Sequence, residues 1–170
     1  MYKICLFIAV ALLVIGCSDD SNTKKINYLQ NFQGITERDE IGDLIGLVDS
    51  TDWNLHEVNG IFDFPQYVEI KSSEDDIVPS PFRFSAYPNP TNYNSASFRI
   101  NAPQVCEISL WMIDENGNCK AVIIEKETLL EGIHELELNL TNFSSGLYRC
   151  MYYLEIDEQT YWGWGDVLKE

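Results

Sequence analysis

The second half of this chain alternates. From Cys106 to Ile113, Cys106, Ile108, Leu110 and Met112 interleave with Glu107, Ser109, Trp111 and Ile113. From Gly132 to Leu140, His134, Leu136, Leu138 and Leu140 interleave with Ile133, Glu135, Glu137 and Asn139. A period of two puts successive side chains on opposite faces of a strand, whereas a helix needs a period near 3.6. Asn116-Gly117 follows one such run and precedes another. That dipeptide is a strong hairpin signal, because glycine supplies the positive φ the turn needs. Further strand patterns cover 82–87, 97–100, 121–124, 146–155 and 161–168, and no segment sustains helical periodicity. Seven short strands separated by turn signals predict an all-β fold, an antiparallel sandwich over 84–170.

The segment before it carries mixed signals. Residues 26–70 hold an apolar run (Ile41, Leu44, Ile45, Leu47, Val48), broken by the turn formers Asp49-Ser50-Thr51-Asp52. Trp53 follows, and 61–70 is aromatic and β-prone. Two or three short strands are expected. The segment is too small to bury a core of its own, so it should pack on the sandwich. Residues 71–83 combine charge, serine and proline and read as a linker.

The N-terminus is an address. One positive charge, Lys3, precedes an apolar stretch from Ile4 to Ile15, which is short of the ~20 residues that span a bilayer. Gly16 and Cys17 end it. Val14-Ile15-Gly16-Cys17 resembles a bacterial lipobox. That resemblance implies a signal peptide over 1–16, removed on maturation, and lipidation of Cys17 as the new N-terminus. Several acyl chains on one residue are what stable anchoring takes. Residues 17–25 read as a polar tether. Within it, Ser18-Asp19-Asp20 resembles the export signal of surface lipoproteins in the Bacteroidetes group. The implied location is the cell envelope, on the outer membrane and exposed at the surface.

Composition limits the partners. The formal net charge is −16, and removal of Lys3 with the signal makes it more negative still. Nucleic acid is excluded as a partner, since phosphate binding needs clustered Lys and Arg. Attraction to anionic lipid is disfavoured too, which leaves membrane attachment to the acyl anchor. Three cysteines remain beside Cys17: Cys106, Cys119 and Cys150. An oxidising compartment permits one internal pair. Cys106 with Cys150 is the candidate disulfide, both lying in strong strand patterns; three reduced, packed thiols are the alternative.

Two clusters are candidate binding sites. Trp111, Trp162 and Trp164 would make an aromatic platform for sugar or protein if their faces were free, and would otherwise be packing aromatics. Asp114, Asn116 and Asn118 have the spacing of a calcium loop's first ligands, although a hairpin turn explains them more simply. His56 and His134 are the histidines, and neither sits in a hydrolase motif such as Gly-x-Ser-x-Gly or His-Glu-x-x-His. No catalytic residue and no cofactor is expected.

Four blocks carry a further resemblance. They are Ala86-Tyr87-Pro88-Asn89-Pro90, then Ile108-Ser109-Leu110-Trp111-Met112-Ile113-Asp114-Glu115-Asn116-Gly117, then Leu130-Glu131-Gly132-Ile133-His134, and Ser144-Ser145-Gly146-Leu147-Tyr148. Their order and spacing resemble the immunoglobulin-like C-terminal sorting domain of type IX secretion cargo, and the related domain of flagellar hook-capping proteins. The resemblance covers about half the chain. It implies a seven-stranded immunoglobulin-like sandwich without catalytic residues or cofactor. Sorting domains of that family are cleaved from large enzymes, whereas here the domain follows a short segment on a lipidated chain. The expected role is therefore a non-catalytic envelope lipoprotein displaying its sandwich to another envelope protein. A carbohydrate-binding module with a glycan partner, or type IX cargo with a sorting-type tail, are the alternatives.

Overall fold

The computed structural model describes residues 24–25, 32, 34–57, 62–63, 67–70 and 81–170. The signal sequence, Cys17 and most of the tether lie outside the described residues, as does 71–80 of the linker. The strands in chain order are β1 (Lys24–Lys25), β2 (His56–Glu57), β3 (Phe62–Asp63), β4 (Tyr67–Ile70), β5 (Arg83–Tyr87), β6 (Ser95–Ala102), β7 (Cys106–Asp114), β8 (Cys119–Leu129), β9 (Gly132–Asn139), β10 (Gly146–Ile156) and β11 (Gln159–Lys169). The fold is all-β, with no helix among the described residues.

Eight of these strands build two antiparallel sheets, ordered β2-β11-β10-β7-β8 and β5-β6-β9. Strands β1, β4 and β3 form a separate small sheet. The strands from β5 to β11 match the seven read from alternation. The eighth, β2, comes from the N-terminal segment and adds to the edge of β11 through Tyr161↔Glu57 and Trp162↔His56. Two residues are too few to show a period, so alternation could not announce it.

The core lies between the sheets. Phe84 and Ala86 of β5, Phe98 and Ile100 of β6 and Leu138 of β9 meet Ile108, Leu110 and Met112 of β7 and Cys150, Tyr152 and Leu154 of β10. The Phe84 and Tyr152 rings stack across the gap at 4.3 Å between centroids. Each Leu, Ile, Phe or Met side chain among them contributes about 1.5–3 kcal/mol on full burial. The 114–118 turn closes as expected: Gly117 has φ 78°, and its N–H donates to Asp114 O at 2.8 Å. Strand β10 is buried on both faces from Tyr148 to Tyr152, which places Arg149 and Met151 under cover on the side away from the core.

Candidate functional site

Trp162-Gly163-Trp164-Gly165 shows how the first half of the chain joins the second. Alternation sends the two tryptophans to one face of β11 and the two glycines to the other. On the core face, a Cβ at Gly165 would overlap the Trp53 indole, and one at Gly163 would overlap Asn54 O and the Tyr152 ring. The glycines are a notch, and Trp53 fills it. Trp53 stacks on Tyr152 at 6.4 Å and tilts against Phe98 at 6.1 Å. The Trp53 backbone N–H donates to Trp164 O at 2.6 Å, and the Tyr152 hydroxyl donates to Asn54 O at 2.7 Å. Trp53 takes φ 63°, an unfavourable value for a bulky residue that this packing holds in place. Leu55, two residues on, is buried in the core.

Polar groups lock the same seam. Asp52 accepts from Thr36 N at 3.0 Å and from Asp166 N at 2.9 Å. Asn89, fully buried within Pro88-Asn89-Pro90, donates to Thr36 O at 3.1 Å and Asp166 O at 2.8 Å, and accepts from Leu168 N at 3.0 Å. Its backbone pairs both ways with Arg38. One amide thus joins the N-terminal segment, the β5–β6 connection and β11. Burial pushes the Asp52 carboxyl up to about 7; the nearby Asp166 charge adds to this, while the hydrogen bond from Asp166 N opposes it. Asp166 is also raised by burial, against the pull of Arg149.

The other face of β11 carries a stack. Arg149 and Asp166 form a buried two-pronged ion pair with contacts of 2.7 and 2.6 Å. The guanidinium lies over the Phe32 ring at 4.2 Å and over Trp164 at 5.3 Å. His56 stacks on Trp164 at 5.0 Å and tilts against Trp162 at 5.4 Å.

These placements revise several sequence-based expectations. Trp162 is fully buried, so it has no face to offer a sugar. Trp111 and Trp164 are half-buried on the same face, but both stand opposite Met151, which separates them. The three do not form one platform: Trp164 packs on Trp162 and beside the Arg149 guanidinium, and Met151 stands between Trp164 and Trp111. Cys106 and Cys150 are free thiols. Cys150 stands opposite Met112, six positions from Cys106, which is about 20 Å along the strand. A disulfide needs Cα atoms within about 7 Å, so this register forbids that bond. Burial raises the Cys106 thiol to about 11 and pushes Cys150 higher.

The calcium candidate is a turn. Asp114 Oδ1 accepts from Asn116 N and Asn118 N, each at 2.9 Å, and Asn118 Nδ2 reaches Oδ2 at 2.9 Å. Lys120 Nζ sits 2.8 Å from Oδ2, where a cation would have to approach. Partial desolvation works upward on this carboxyl, but the donors from Asn118 and Lys120 hold it well below the usual range. Among the described residues, no group of three His, Cys, Asp or Glu side chains is placed to hold a metal. His134 lies on the core-side parity of β9, with Nε2 2.8 Å from Leu130 O.

Sequence reasoning missed Asn89, Asp52 and the Arg149–Asp166 pair as a connected set. Their partners lie 16 to 114 residues apart, beyond any local pattern. In comparisons with known proteins, the chain matches no family model, no curated protein and no solved structure.

Proposed function

We propose that this chain is a non-catalytic lipoprotein of the outer membrane, anchored through Cys17, whose sandwich is a permanently retained display module for contact with another envelope protein. The observation that supports retention is the seam. Trp53 and Leu55 belong to the core, β2 extends the larger sheet, and Asn89 and Asp52 bond the segment 34–57 to β11. A sorting tail is separable from what precedes it. Here a cut near Tyr87 would strip Trp53 and Leu55 from the core and leave the Gly163–Gly165 notch empty. Cys106 and Cys150 are buried on the core side and Cys119 is exposed, and burial raises all three thiols rather than lowering them, which supports a non-catalytic reading.

The test is intact mass of the protein extracted from cell membranes. One species is expected, running from acylated Cys17 to Glu170. A dominant product ending between 70 and 90 would overturn the reading.

A further inference from the structure

Five large aliphatic side chains crowd into eight positions of the N-terminal segment. Ile41, Leu44, Ile45, Leu47 and Val48 are 68, 55, 63, 73 and 61 % exposed. They are half of the large apolar side chains exposed among the described residues. Single exposed aliphatics are ordinary, but a contiguous cluster marks an interaction site. The run is a surface loop with only an isolated Arg38↔Leu44 bridge, and it supplies none of the short strands expected over 26–70.

The loop is built. Glu37 N donates to Leu47 O at 2.8 Å, and Ile45 N to Glu37 O at 3.2 Å. Glu37 Oε2 accepts from Leu47 N, and Asp39 Oδ1 accepts from Ile41 N and Asp43 N. Tyr93 Oη donates to Glu40, and the Arg38 backbone pairs with Asn89. Gly42 adopts φ 91° against the Tyr87 ring, and Gly46 leaves the space that the Glu37 carboxylate occupies. Polar bonds therefore hold the aliphatics outward, and a fixed surface loses little entropy on binding.

Charge selects the occupant. Glu37, Asp39, Glu40, Asp43 and Asp49 surround the aliphatics, and the one cation of 37–49, Arg38, is bonded to Gly42 O at 2.6 Å. A second copy would bring like charges together. A bilayer would have to take in Asp43, which stands among the aliphatics. A protein cleft with an apolar floor and a Lys/Arg rim meets both features. We propose that the loop 41–48 is the docking surface for such a basic-rimmed apolar cleft on an envelope protein. This rests on the reading of the sandwich as a display module for protein contact.

The test places a benzophenone side chain at Leu47 or, as a comparison site on β8, at Val122 in the full chain made in its own cells. Light should join Leu47 to one protein, and Leu44→Asp should abolish that adduct while thermal unfolding is unchanged. The purified adduct partner should bind the mature chain at least tenfold more weakly after Leu44→Asp, and several-fold more weakly in high salt. Adducts with lipid, with a second copy or with another part of the same chain would overturn the proposal. So would salt-independent binding, or no adduct at Leu47. An adduct at Val122 alone would overturn this surface and leave the display reading standing; a processed chain lacking the sandwich would remove that reading itself.

Discussion

Three residues carry the seam, and each makes a separate prediction. Gly165 has no room for a methyl group, since its Cβ would overlap the Trp53 indole. Gly165→Ala should destabilise the protein by about 2–3 kcal/mol in urea unfolding, as overpacking does. The buried Asn89 side chain satisfies one N–H and two carbonyls. Asn89→Ala would leave those groups unpartnered, at a cost of about 3 kcal/mol by the same measurement. Asp52 adds a pH dependence. Its carboxyl is raised to about 7, with the Asp166 and Asp49 charges facing it and Thr36 donating to it. Folding therefore takes up a proton between about pH 4, its unfolded value, and pH 7. The stability from this group is fully present below that window and is lost as pH rises through it, by on the order of 2–4 kcal/mol. Asp166, also raised, acts in the same direction. Urea midpoints measured from pH 4.5 to 7.5 should fall with pH, and Asp52→Asn should flatten the slope.

At the level of elements, alternation carried the fold and concealed the seam. The seven strands were legible because side-chain period and turn residues are local properties of 82–168. The same alternation in Trp162-Gly163-Trp164-Gly165 was visible too. Its meaning depends on Trp53, more than a hundred residues away, so the tryptophans stayed open between a platform and packing aromatics. Asn89 read only as part of the Ala86–Pro90 block for the same reason. The run 41–48 has strand-like composition, yet glycines at 42 and 46 and the Glu37 and Asp39 side chains fold it into a loop. The β10–β11 hairpin shows a local signal that is weak rather than absent. Asp157 and Glu158 take φ 49° and 66°, values that a two-residue turn normally assigns to Asn-Gly. Glu158→Gly should remove the left-handed penalty and, after glycine's own entropy cost, raise stability by about 0.5–1 kcal/mol, seen as a higher Tm.

At the scale of the molecule, the sandwich and the segment before it are one folding unit. Residues 34–57 supply an edge strand, two core side chains and the partners of the buried Asn89 and Asp166. This unity supports the proposal of a retained module over that of a detachable tail. It also fixes the 41–48 loop to the sandwich through Arg38 and Asn89, so the surface and its scaffold stand or fall together. The most direct measurement compares urea unfolding of two chains, 18–170 and 81–170, followed by tryptophan fluorescence and far-ultraviolet circular dichroism. The longer chain should unfold in one transition that coincides in both probes, and the shorter should lack a cooperative transition. An 81–170 chain that unfolds cooperatively at the same urea concentration as the longer one would contradict the account.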